Sequence, residues 1–171
     1  GAPRVSALDA FREVVVVDFE FTALPGERPT PVCLVAHELR SGRRFRIFQG
    51  EFGPVLPFAT GKDILLVAYY ASAELGCYLV LDWPMPKNVL DLFAEFVNLK
   101  NGTHTPEGYG KGLLHALAAF GLPHMPGLEK EHWRDRIMAG GPYSPEDRAG
   151  IIDYCQADVD ALQSLLGPLV S

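Results

Sequence analysis

The chain has 171 residues, 48% of them hydrophobic and 21% charged, which is enough for one domain with a real core and excludes a disordered protein. Its net charge of −6 excludes a protein that grips nucleic acid by bulk positive charge, though it permits acids gathered around a metal. Apolar runs are broken by charges and prolines well short of the roughly 20 residues a membrane helix needs. Cys33, Cys77 and Cys155 show neither CxxC nor Cys/His ligand spacing, which argues against a zinc site or a disulfide framework. With no secretory signal read at the N-terminus, a reducing, cytoplasmic setting is expected.

The predicted elements begin with residues 13–19, where four consecutive valines read as a buried central strand. Residues 32–39 and 43–49 read as two further strands joined by a turn at Arg40–Arg43. In the second of these Phe45 and Ile47 alternate with Arg44, Arg46 and Phe48. Residues 63–70 predict a fourth strand running into a helix over 72–81, and residues 88–92 a short fifth strand. Helices are predicted over 111–120 and 129–141, each ending at a glycine. The last helix, over 144–167, has Ser144 as N-cap, Pro145 at the first helical position and acids in its first turn. This order predicts a single α/β domain, residues 1–171, with a mixed five-stranded sheet flanked by helices.

Two features stand out chemically. Asp18 and Glu20 are two apart, so on a strand they share a face. If the strand instead ends near residue 17, both are solvated loop acids. Burying two ionised carboxylates side by side costs several kcal/mol unless a positive charge lies between them. In the last helix Tyr154 and Asp158 are one turn apart. The apolar stripe of Ile151, Ile152, Cys155, Val159, Leu162 and Leu165 would lay that helix on the sheet, facing Asp158 toward the strand pair. Three converging acids call for a divalent cation with a preference for hard oxygen ligands, magnesium or manganese.

The stretch VVVVDFEF (14–21) followed by YCQADVDAL (154–162) resembles the first and third motifs of the DEDD 3′–5′ exonucleases, in the subgroup whose third motif is Tyr-x-x-x-Asp. The likeness is to the proofreading exonuclease domain of family A DNA polymerases and extends to GKGLLHALAAFGLP and NVLDLF. It implies a ribonuclease H-like fold, a single-stranded DNA 3′ end as partner, and a chain excised from a polymerase or associated with one, with no membrane role. It also implies two Mg2+ or Mn2+ ions about 4 Å apart that hydrolyse the terminal phosphodiester. Asp18, Glu20 and Asp158 would be metal ligands and Tyr154 would orient water. Phe19, Phe21 and Leu24 would contact substrate, Leu24 as a wedge against the terminal base or simply as a loop-packing residue.

The second motif departs from the family pattern: AYYASAEL (68–75) puts Glu74 where an Asp is usual and Tyr70 where an Asn is usual. Glutamate can ligate, but its extra methylene shifts the carboxylate by about 1 Å, more than functional sites readily tolerate. Glu74 is therefore expected to complete the catalytic and metal set, with Asp82 and Asp91 as substitutes. Two other outcomes stay open: a ribonuclease D-like exoribonuclease, and a degenerate domain that binds single strands or braces a polymerase without cutting. Arg40, Arg43, Arg44 and Arg46 read as a solvated hairpin. The histidines at 37, 104, 115, 124 and 132 show no ligand spacing, and Trp83 and Met125 read as core caps.

Overall fold

A computed structural model describes residues 7–100 and 112–170. Five strands, β1 (Glu13–Thr22), β2 (Thr30–Glu38), β3 (Arg44–Phe48), β4 (Ile64–Ala68) and β5 (Val89–Asp91), form one sheet in the order β3-β2-β1-β4-β5. β1 runs antiparallel to β2 and parallel to β4, so the sheet is mixed as expected. The helices are α1 (Ala71–Val80), α2 (Leu92–Lys100), α3 (Leu113–Ala119), α4 (Gly127–Met138) and α5 (Pro145–Val170). Among the described residues no helix is long and apolar enough to cross a membrane.

The alternation of β1 sorts its side chains onto two cores. Val14 and Val16 pack with Cys33 and Val35 of β2 beneath Ile151, Cys155, Val159, Leu162 and Leu165 of α5. Val15, Val17 and Phe19 pack on the opposite face with Ala71, Cys77 and Tyr78 of α1 and with Trp83. Since Asp18 and Glu20 continue the Val14–Val16 register, they emerge on the α5 face.

α5 starts as the sequence predicts: the Ser144 hydroxyl accepts a hydrogen bond from the Asp147 N–H at 3.0 Å. Gly121 and Gly140, just past α3 and α4, have φ of 64° and 82°, the left-handed conformation that a helix stop favours. The helix expected over 111–120 is observed over its described part; Lys111 and His104 lie outside the described residues. α2 is an element the sequence pattern does not announce. The Asp91 carboxylate that ends β5 accepts the Phe93 N–H at 3.0 Å, capping a helix that starts without a loop.

The arginine hairpin is tied down. Arg43 pairs with Glu13 at 2.9 Å and Arg46 with Asp153 at 2.6 Å, while Arg40 donates to the Leu8 carbonyl at 2.7 Å. These three cations are exposed but engaged, so three of the four hairpin arginines are already paired or bonded. Trp83, 4% exposed, belongs to the core beside Phe19 and Tyr78.

Candidate active site

β1 holds its strand geometry through both acids: Asp18 pairs with Val35 and Glu20 with Cys33, before a register shift between Glu20 and Phe21. This rules out a strand end near residue 17. On its other edge β1 pairs with β4 only as far as Val16–Val67. Beyond that point the β1 edge is free of strand partners, and α1 enters where β4 ends. This is the carboxyl end of two parallel strands at a change of direction, where open α/β sheets place their sites.

Asp18, Glu20 and Cys155 each offer a ligand-type atom here, and these atoms lie within 4.8 Å of one another. The Cys155 thiol donates to the Asp18 backbone carbonyl at 3.3 Å and lies 3.4 Å from Asp18 Oδ2. Burial, and then the charge of Asp158, push the Asp18 carboxyl up to about 7. Burial and the charge of Asp18 push Glu20 well above the usual carboxylate range, so the pair resists carrying two negative charges at once.

Asp158 and Tyr154 arrive from α5 on the same side. Tyr154 is 3% exposed. Burial first, then the charges of Asp158, Glu20 and Asp18, drive its phenol far above its ordinary value, so it remains an O–H donor. Asp158 is raised by burial, against which the charge of Lys130 acts. Lys130 of α4 lies 3.2 Å from Asp158 Oδ1 and 5.6 Å from the centre of the Tyr154 ring. Arg134, one turn further along α4, adds positive field at both Tyr154 and Asp158.

Glu74 reaches the site through a backbone contact that the sequence does not suggest. It is 3% exposed, and its Oε2 accepts the Phe19 N–H at 2.8 Å, a donor left without a strand partner where β4 ends. Burial and the neighbouring charge of Asp18 raise its pKa well above the usual range, while the Phe19 N–H opposes this. Glu74 is thus next to Asp18 but outside the converging group of ligand atoms. Of its substitutes, Asp91 accepts the Tyr70 N–H at 2.9 Å and the Ala71 N–H at 3.1 Å, holding the start of α1. Asp82 lies past the end of α1 with φ of 56°. Tyr70 adopts a left-handed φ of 66° and stacks on Phe93 with ring centres 4.4 Å apart.

The expected substrate contacts divide. The Phe19 ring is 2% exposed and packs 6.1 Å from Tyr78 and 6.0 Å from Trp83, so the expectation that it touches substrate is corrected: alternation turns it to the α1 core. Phe21 is half-buried against the same core. Leu24 is 63% exposed and lines a cleft of about 210 Å³ with Met138.

Two larger grooves open near the acids. One, of about 480 Å³, runs between α3, the α3–α4 connection and α5 to Asp158 and Lys130. The other, of about 580 Å³, lies between α3 and α4 and reaches Lys130 and Arg134. Neither is lined by Asp18 or Glu20, and Lys130 lines both.

The donor set suits a divalent cation: half-buried carboxylates whose pKa values are raised by desolvation and by neighbouring negative charge gain most from an ion between them. Asp18 and Glu20 could hold one directly, with Cys155 as a softer donor and Asp158 available once it leaves Lys130. Sequence reading missed Lys130 and the sulfur of Cys155. The available signals were the Lys130/Arg134 spacing of one helical turn and the position of Cys155 directly after Tyr154 on the buried stripe.

No family model matches the chain, and no curated protein matches it in sequence. Solved structures do. Trypanosoma brucei RNase D matches with a TM-score of 0.69 at 16% identity over 96% of this chain and 59% of that one. A complex of T. brucei RNase D with RNA U12 matches with a TM-score of 0.68 at 14% identity, over 96% and 57%. Escherichia coli RNase D, an exoribonuclease involved in structured RNA processing, matches with a TM-score of 0.56 at 12% identity, over 95% and 41%. The chain spans less than two thirds of each of these proteins. The likeness gives the fold: a ribonuclease H-like mixed sheet of the kind found in 3′–5′ exonucleases.

Proposed function

We propose that the chain is a metal-dependent 3′–5′ exonuclease acting on the 3′ end of a single nucleic-acid strand. The observation that carries this reading is the convergence of Asp18 and Glu20 of β1 with Cys155 of α5 within 4.8 Å, on the helix segment whose Tyr154 and Asp158 share their electrostatic field. Asp18, Glu20 and Asp158 would hold the divalent ions, which when bound supply Lewis-acid polarisation of the phosphate and a nucleophile from water at neutral pH.

The protein's own groups have distinct tasks. Tyr154, held protonated by its surroundings, donates its O–H to orient water or a phosphate oxygen and is no general base. Glu74 fixes the Phe19 amide between the two ligating residues and so sets the splay of Asp18 and Glu20. Leu24 offers an exposed apolar face beyond the end of β1 on which a base can rest.

RNA is the first substrate to test, because all three of these matching structures are of RNase D and one of them contains RNA. DNA is the second, supported by the likeness of VVVVDFEF and YCQADVDAL to polymerase proofreading domains. The test is digestion of 5′-labelled RNA and DNA oligonucleotides of one sequence with Mg2+ or Mn2+, with Asp18→Ala alongside. A ladder shortening from the 3′ end, absent in the variant and in EDTA, is the expected result, and the faster polymer identifies the substrate. No cleavage of either by folded protein with either metal would leave the non-catalytic binding or bracing domain as the better account.

A further inference from the structure

We propose that Lys130 is an internal counter-cation that Asp158 must give up before divalent ions bind, and that the phosphate of an incoming strand draws it away. The inference rests on the metal-dependent reading above and adds an exchange between three charged partners. The Lys130 and Asp158 side chains are 19% and 15% exposed, so neither can exchange its partner for bulk water at little cost. An ammonium 3.2 Å from Asp158 Oδ1 occupies the side of the carboxylate it faces, and a dication arriving at that carboxylate would repel it.

The lysine has somewhere to go. Lys130 lines both grooves, and Arg134 lines the second one. The flexible four-carbon stem lets the ammonium move from Asp158 toward a groove while α4 stays in place. The second groove, where Lys130 and Arg134 balance Glu131 and Asp135, is the one in which a phosphate would meet Lys130; the first also carries Glu129, Asp158 and Asp160, and neither is lined by Asp18 or Glu20. Lys130 is therefore a positioning residue, in which one cation restrains Asp158 when the site is empty and neutralises substrate when it is full. Thermodynamic linkage makes the coupling reciprocal: nucleotide strengthens metal binding, and metal strengthens nucleotide binding.

The test is a Mn2+ titration of the full chain, with free ion followed by electron paramagnetic resonance, with and without uridine 5′-monophosphate as a phosphate ligand that cannot be cleaved further. Lys130→Met is expected to bind Mn2+ roughly five- to tenfold more tightly than wild type without nucleotide, and to lose the strengthening that the nucleotide gives wild type. Lys130→Arg, which keeps the charge, is expected to restore wild-type behaviour. Should Lys130→Met fail to fold, Lys130→Gln carries the same expectation. Mn2+ binding by the folded neutral variant that is no tighter than wild type overturns the inference. Absence of Mn2+ binding by wild type removes the metal-dependent reading itself, and the inference with it.

Discussion

Asp18, Glu20, Tyr154 and Asp158 stand on the regular parts of β1 and α5, whereas Glu74, Tyr70 and Asp91 stand where β4 and β5 give way to helices. On the first side, periodicity alone aims each side chain: every second residue of a strand and every fourth of a helix share a face. On the second, backbone N–H groups left over at strand and helix ends recruit the carboxylates. Glu74 takes the Phe19 amide, and Asp91 takes those of Tyr70, Ala71 and Phe93. An acid on a periodic element is free to serve chemistry, while an acid at a junction is first claimed by the backbone.

The largest expected effect tests the periodic side. Removing the Asp18 carboxylate as Asp18→Asn should lower turnover by roughly a thousandfold, since several kcal/mol of metal-assisted stabilisation is lost. A gel assay of 3′ shortening reads this directly, and retention of a tenth of the activity would move the chemistry away from β1. Next is the support beneath α5. A Cβ at Gly150 would collide with the Trp133 ring, so in Gly150→Ala either that ring or the packing of α4 on α5 must shift. A loss of about 1–3 kcal/mol is expected, seen as a melting temperature several degrees lower, even though alanine is the better helix former.

The junction side is probed by a pair of variants. Glu74→Ala leaves the Phe19 N–H buried without an acceptor, at a cost of about 1–3 kcal/mol, while Glu74→Gln keeps an acceptor and should stay within about 1 kcal/mol of wild type. If Glu74→Gln also retains most of its turnover, anchoring is the main task of Glu74; if it is folded but inactive, the second carboxylate is needed as a ligand.

pH sharpens the contrast further. Asp18 has a folded pKa near 7, above its ordinary 3.8, so its protonated form favours the native state. That contribution is full below about pH 4 and is lost as pH rises through 7. Metal-free protein in EDTA should therefore melt at a lower temperature at pH 8 than at pH 5, and Mg2+ should recover the difference at pH 8. The smallest effect is expected at Leu24, where exposure predicts that Leu24→Ala changes stability by no more than about 0.5 kcal/mol. A rise in KM with unchanged melting would identify it as a substrate contact.

The five strands and the capped start of α5 were legible because valine runs, alternation and Ser144–Pro145 each have one physical reading. α2 was not legible, because its start depends on Asp91 being both the last residue of a strand and a cap. The acids of β1 and α5 were found by spacing. Lys130 was not, since nothing in GLEKEHWRDR distinguishes the lysine that turns inward from charged neighbours that stay in solvent. Phe19 was misassigned for a related reason: a strand residue between two ligating acids must point away from them, into the opposite core.

Cys155 and Asp18, in contact here, are 137 positions apart in the chain. No local fragment can contain this site, so it forms only when nearly the whole chain has closed on itself, a high-contact-order event that tends to be slow and late in folding. The Phe19 amide, pinned by Glu74 from a third segment 55 residues away, lies within that closure. Its hydrogen exchange should follow global unfolding, not local fraying, and so time the moment at which the molecule becomes competent.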